Sequence, residues 1–221
     1  MLPPPLQIAF TSNEPGGFSV YRKGADGVGD AERISPPGQD IGPWDWSSDG
    51  RYIACAVNAG ATRWDIAVLP LEGDRKPIPF AGSQFSEQAP RFSPDGRWIA
   101  YSSSESGRRE IYVRPFPGPG GRWQISTQGG VHPNWRRDGK EIFFLTPTGD
   151  MMAADITAGA GIQSSTPKLL FRTTAPEPEF NGPAYAVSAD GQQFLIRKTL
   201  AGGTVSPTTV VVNWAAAFGS K

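Results

Sequence analysis

The chain has one cysteine, one histidine and no net charge, with 21 Lys+Arg against 21 Asp+Glu in 221 residues. Each scarcity removes a class of function. Cys55 alone cannot form an internal disulfide, and in the alternating run Tyr52-Ile-Ala-Cys-Ala-Val57 it reads as a small buried side chain. A lone His132 rules out a His-Glu-x-x-His zinc helix, and no cysteine pair is available to hold a metal, so no cofactor or metal is expected. Balanced charge gives no field to attract nucleic acid or an anionic membrane. No run approaches the roughly 18 apolar residues of a membrane span. Met1-Leu-Pro-Pro-Pro5 has neither the basic region nor the apolar core of a signal peptide.

Turn formers and aromatics are abundant instead. The 27 glycines and 22 prolines interrupt the chain too often for long helices, while 12 Phe, 7 Trp and 5 Tyr are too many for disorder. Many short strands joined by many turns remain.

Four Asp-Gly pairs recur in matching surroundings: Trp46-Ser-Ser-Asp49-Gly50, Phe92-Ser-Pro-Asp95-Gly96, Trp135-Arg-Arg-Asp138-Gly139 and Val187-Ser-Ala-Asp190-Gly191. Asp-Gly between apolar runs is a hairpin signal, because both residues tolerate the positive φ of a tight turn. An apolar residue lies four positions after each Asp (Ile53, Ile99, Ile142, Phe194), and a proline opens each unit (Pro43, Pro90, Pro133, Pro183). The Asp spacings of 46, 43 and 52 residues fit propeller blades.

Four strands can be read within one period: Ala89–Pro94, Trp98–Ser103, Glu110–Pro115 and Arg122–Thr127. The preceding unit gives Pro43–Ser47, Tyr52–Asn58, Trp64–Leu69 and Lys76–Phe80. The following one gives Pro133–Arg136, Glu141–Thr146, Asp150–Ile156 and Lys168–Arg172. Trp46, Phe92 and Trp135 read as core between blades. The expected fold is all-β: a β-propeller of four-stranded antiparallel blades over residues 1–221, with units 1–41, 42–88, 89–131, 132–181 and 182–221.

Both ends of the array are incomplete. Leu6–Phe10, Phe18–Lys23 and Glu32–Ser35 supply three strands of the first unit; Tyr185–Ser188, Gln193–Lys198 and Thr208–Trp214 supply three of the last. Either Thr208–Trp214 helps close the ring, or the chain is an arc of a six- to eight-bladed propeller. The arc is preferred, because a chain starting inside a hairpin leaves a strand edge bare.

The pattern Pro90-x-Phe-Ser-Pro-Asp-Gly-x-x-Ile-Ala-Tyr101, followed by Glu110-Ile-Tyr-Val113, resembles the TolB-type, WD-repeat-like propeller of bacteria. Ile125-Ser-Thr-Gln-Gly-Gly130, Trp135-Arg-Arg-Asp-Gly-Lys-Glu141 and Val210-Val-Val-Asn-Trp214 resemble the propeller that ends many bacterial proteins carrying a eukaryotic-like serine/threonine kinase domain. No kinase loop is present in this chain. The resemblance implies a sensor or scaffold that binds a protein or peptide, as a monomer or as part of a longer chain, in an extracytoplasmic setting.

Chemistry-bearing patterns are few. There is no Gly-x-Ser-x-Gly elbow for a Ser-His-Asp triad. Asp45-Trp-Ser-Ser-Asp49-Gly50 lacks the alternating oxygen ligands of a calcium loop, so the repeated aspartates read as turn formers. Gly24-x-x-Gly-x-Gly29 opens no helix that could cradle a phosphate. Pro115-Phe-Pro-Gly-Pro-Gly-Gly121 and Pro176-Glu-Pro-Glu-Phe180 read as stiff loops.

Strands alternate direction within a blade, so loops joining strands two to three and four to one share one rim, and the Asp-Gly hairpins occupy the other. The first rim carries the candidate binding residues Arg63, Phe85, Arg108, Arg109 and His132, with His132 expected in the loop between the third and fourth units. No catalytic residue is assigned. The alternatives are a propeller lyase or hydrolase acting on carbohydrate or peptide, with His132 and a carboxylate at the mouth, and a gene fragment without independent function.

Overall fold

A computed structural model describes residues 6–15, 17–60, 63–173 and 182–197. Eighteen strands, all antiparallel to their neighbours, form five sheets, with no helix among the described residues. The first sheet contains β1 (Gln7–Glu14), β2 (Gly17–Gly24) and β3 (Glu32–Arg33). The second contains β4 (Ile41–Trp46), β5 (Tyr52–Asn58), β6 (Trp64–Pro70) and β7 (Ile78–Ala81). In the third are β8 (Glu87–Phe92), β9 (Trp98–Ser103), β10 (Glu110–Pro115) and β11 (Trp123–Gln124). The fourth holds β12 (Val131–Trp135), β13 (Glu141–Leu145), β14 (Asp150–Ala158), β15 (Ile162–Ser164) and β16 (Lys168–Arg172). Strands β17 (Tyr185–Val187) and β18 (Phe194–Ile196) pair in the fifth. These sheets follow the expected blades, with three strands in the first and two in the last among the described residues; Thr208–Trp214 lies outside the described residues.

The Asp-Gly hairpins are built on one hydrogen-bond plan. In the second blade the Ser47 hydroxyl donates to Asp49 (2.7 Å) and accepts the Tyr52 N–H (2.9 Å), while Asp49 accepts the Arg51 N–H (3.1 Å). Ser93, Asp95, Trp98 and Arg97 repeat this in the third blade, and Ser188, Asp190, Gln193 and Gln192 in the fifth. In the fourth, Arg136 replaces the serine and grips Asp138 through two nitrogens at 2.8 Å. Gly50, Gly96, Gly139 and Gly191 all have φ between +71° and +75°, which a side chain would resist. Hydrogen bonds from Ser47 and the Arg51 amide hold Asp49 at a pKa of about 2, and those from Arg136 and the Lys140 amide do the same for Asp138.

The core lies between blades. Val20 and Ile34 of the first meet Ile41, Ile53 and Leu69 of the second. Ala54 and Val68 meet Phe92 and Ile99 of the third, and Trp98, Ile111 and Val113 meet Trp135, Ile142 and Phe144 of the fourth. Phe143, Leu145 and Met151 then meet Ala184 and Tyr185 of the fifth. Both faces of a middle blade are therefore apolar, with each buried large side chain contributing about 1.5–3 kcal/mol. Phe92 and Trp135 join these clusters as expected, and Trp46 packs half-buried beside the first.

Two expectations need correction. The first strands of the middle blades begin two residues earlier than predicted, at Ile41, Glu87 and Val131: a bulge takes up Pro90 and Pro133, which cannot donate to the ladder, and in the second blade it follows Pro43, which stays in register with Cys55. The fourth blade also contains a strand beyond the expected four: β14 runs on to Ala158, and β15 folds back on it, burying Ile162 against the third-blade side.

Candidate functional site

The first strands of successive blades are tied together. The Phe92 N–H donates to Asp45 (2.8 Å), Arg91 Nη1 donates to the Trp44 carbonyl (3.0 Å), and the Trp135 indole donates to the Arg91 carbonyl (3.2 Å). Burial pushes the Asp45 carboxyl up in pKa, against the pull of Arg91, whose guanidinium lies 3.3 Å from it. Each proline bulge turns the entry of a first strand, and two of these entries are strained. Ala89 and His132, each immediately before a unit proline, hold φ of +53° and +52°.

On the rim opposite the Asp-Gly hairpins, the entry of β4, with Gln88 of β8 and Gly182, borders a pocket of about 390 Å³. Phe18 of β2, Asp40 before β4, Trp44 of β4, Trp64 of β6 and Gln88 of β8 line it. Asp40 accepts from the Phe18 N–H (3.2 Å) and from Asn58 Nδ2 (2.8 Å), which fixes its carboxylate at the junction of the first two blades. The Trp44 ring lies 5.6 Å from the His132 imidazole, tilted by 40°.

His132 is a strand residue, the second of β12, which corrects the expected loop position. Burial, then the charges of Arg91, Arg109 and Arg197, lower its pKa to about 4, so the imidazole is neutral at pH 7. Its Nδ1 is buried without a hydrogen-bond partner, as is the Tyr185 hydroxyl. The residues before the four unit prolines are Gly42, Ala89, His132 and Gly182. Only the fourth unit places a long polar side chain there, and a position-by-position reading of the repeat would have singled it out.

The other sequence-predicted rim residues fall into separate places. Arg63 Nε faces Asp65 at 3.6 Å beside Trp64. In the equivalent turn, Arg108 pairs with Glu110 at 2.7 Å and donates to the Thr127 carbonyl. Glu110 also accepts from the Ser126 hydroxyl and the Gly129 N–H. An arginine two residues before a third-strand acid is thus a repeated brace of the rim. Arg109 follows in the same turn and acts on His132 through its charge. Phe85 is half-buried in the β7–β8 connection, bordering a shallow depression with Tyr112 and Arg122. The structure therefore brings Arg109 within electrostatic reach of His132, sets Arg63 beside Trp64 of the pocket wall, and leaves Phe85 and Arg108 at separate depressions of the third blade. Sequence reasoning misses Phe18, Asp40, Trp44, Trp64 and Gln88, since an aromatic in a strand gives the same sequence signal whether it faces a neighbouring blade or the mouth.

No protein-family profile matches the chain. Among solved structures, TolB from Acinetobacter baumannii superposes with a TM-score of 0.64 at 20% identity, covering 88% of this chain and 46% of that one. The chain has a TolB-like propeller fold. The periplasmic gluconolactonase of Pseudomonas aeruginosa gives a TM-score of 0.54 at 20% identity, covering 85% and 61%. By sequence, the chain is 29% identical over 139 residues to dipeptidyl-peptidase 5 of Trichophyton tonsurans, covering 51% of this chain and 19% of the peptidase. It thus spans less than two-thirds of each of these proteins. No helix among the described residues is long and apolar enough to cross a membrane.

Proposed function

We propose that this chain is a non-catalytic, TolB-like propeller module that binds a protein or peptide segment at its mouth, with Arg63, Phe85, Arg108, Arg109 and His132 on the surrounding rim contributing contacts. The observation that carries this reading is the pocket. It is concave and large enough for a side chain, and it is lined by aromatics with a few fixed polar groups, the composition of a recognition site. A selection of displayed peptides against the intact chain tests it: binders are expected whose retention is lost in Trp64→Ala and weakened in Arg109→Ala. A selection enriching nothing that depends on either residue would overturn the reading.

The sensor or scaffold role in a kinase-linked protein rests on the sequence resemblance alone, and its Val210–Trp214 stretch lies outside the described residues. An extracytoplasmic setting is supported by the fold shared with a periplasmic lactonase.

The enzymatic reading, prompted by the peptidase and lactonase similarities, places His132 at the mouth as acid or base. The charges acting on it are three arginines rather than a carboxylate, and a pKa near 4 makes it a weak base at neutral pH. Turnover of a peptide or lactone that disappears in His132→Ala would put that reading first.

A further inference from the structure

We infer that the mouth pocket recognises a cationic side chain, an arginine or lysine of the bound segment, by enclosing its stem between Trp44, Trp64 and Phe18 and setting its head against Asp40. The inference rests on the peptide-binding reading above and deepens it. Asp40 is the one charged side chain among the residues lining the pocket, and both its oxygens are already oriented by the Phe18 amide and Asn58. An oriented carboxylate meets a cation without the entropy cost of ordering it first. The remaining walls are aromatic or aliphatic, apart from Thr11 and the buried Gln88. Indole and phenyl faces attract a cation through their quadrupole, and they cover the methylene stem of the same side chain.

Nearby positive charge does not cancel this preference. Arg91 of β8 is held by Asp45 and the Trp44 carbonyl, and Arg63, beside Trp64, faces Asp65 at 3.6 Å. His132, whose ring lies tilted beside Trp44, adds no charge at neutral pH. An acidic occupant would meet Asp40 with like charge. A purely apolar one would leave that carboxylate desolvated beside it, which is unfavourable. The pocket volume of about 390 Å³ accommodates one long side chain with its hydration water.

The test uses the intact chain and four capped pentapeptides, acetyl-Gly-Gly-X-Gly-Gly-amide, where X is arginine, citrulline, norleucine or glutamate. Binding is read from the indole N–H resonances of Trp44 and Trp64. Arginine is expected to shift them saturably, with citrulline, its neutral isostere, weaker by about fivefold to tenfold and glutamate weaker still. Asp40→Asn should bring arginine to the citrulline level. Raising the salt of the unmodified protein should narrow the same gap, which keeps the test independent of how well that variant folds. Equal affinity for arginine and citrulline, or preference for norleucine, overturns the cation inference and leaves peptide binding standing. No shift with any peptide also overturns it. The peptide-binding reading then falls only if the display selection, too, enriches nothing dependent on Trp64.

Discussion

The two rims of this propeller are built from the same repeat and finished in opposite ways. On the hairpin rim, serine, aspartate and glycine close a short hydrogen-bond circuit in the second, third and fifth blades, Arg136 takes the place of the serine in the fourth, and the positive φ of each Asp-Gly pair falls on its glycine. On the mouth rim, buried polar atoms of Arg63, Asp65, Glu87, His132 and Tyr185 lack hydrogen-bond partners, against the Trp98 indole alone beside the hairpins among the described residues, and positive φ falls on the non-glycine residues Ala89 and His132. Burial raises the Glu87 carboxyl pKa, even though Ser83 donates to one of its oxygens at 2.6 Å. Unpaired polar groups and backbone strain cost stability, and folds keep them where a site requires them. One rim closes each turn on itself; the other leaves more of its polar groups unpaired around the pocket, the surface that the proposed function assigns to contact.

The comparison is broken most directly by damaging the hairpin circuit. Ser93→Ala removes the acceptor of the Trp98 N–H and the donor to Asp95, both in a position only 3% exposed. The expected loss is about 2 kcal/mol. For a chain of this size that is a fall in Tm of roughly 6 °C, measurable by thermal denaturation at pH 7. Arg63→Ala on the mouth rim should move the same transition by less than about 0.5 kcal/mol, since its ion pair is half-exposed. Similar losses from the two variants would mean that the rims do not divide stability and contact between them.

Acid separates the rims next. His132 has a folded pKa of about 4 against an ordinary value of 6.5, so the unfolded chain binds the proton more readily between those values. Stability contributed by neutral His132 is present above pH 6.5 and lost as pH falls toward 4. His132→Gln, which keeps a polar side chain but does not titrate, should remove about 1.5 kcal/mol of that loss. Denaturant midpoints at pH 7 and pH 4.5 measure it. The hairpin carboxyls Asp49 and Asp138 have folded pKa values depressed to about 2, so their contribution is lost only at lower pH, between about 4 and 2. A variant with the same acid loss as the unmodified chain would show that His132 is not the group responsible.

Legibility in the sequence follows the same division. Asp-Gly hairpins and the strands beside them are readable because turn chemistry is local: Tyr52–Asn58, Trp98–Ser103 and Glu110–Pro115 lie where the residues predict. Strand entries at the mouth lie two residues away from their expected places, since a proline marks the bulge inside β8 and β12 rather than their start. β15 carries little signal of its own, because Ile162-Gln-Ser164 is short and its burial depends on the third blade. The pocket is the least legible feature. Phe18, Trp44 and Trp64 come from different strands of two blades, and only the ring of first strands brings them together.

The smallest expected effect comes from exchanging one methyl group at matched backbone conformations on the two rims. Gly96 has φ +71° and open space where a Cβ would stand, with no atom within 4 Å, so Gly96→Ala meets only the torsional cost of the left-handed region, about 1 kcal/mol net. Ala89 has φ +53° but is 3% exposed, so Ala89→Gly relieves a similar strain while losing a buried methyl worth about 0.8 kcal/mol. Those terms nearly cancel, and the variant should fall within about 0.5 kcal/mol of the unmodified chain. Denaturant titration of the pair resolves the difference. If Ala89→Gly destabilises as much as Gly96→Ala does, the mouth backbone is held by packing alone. Near-neutrality of Ala89→Gly beside a clear loss in Gly96→Ala locates the strain at the strand entry, next to the residues that line the pocket.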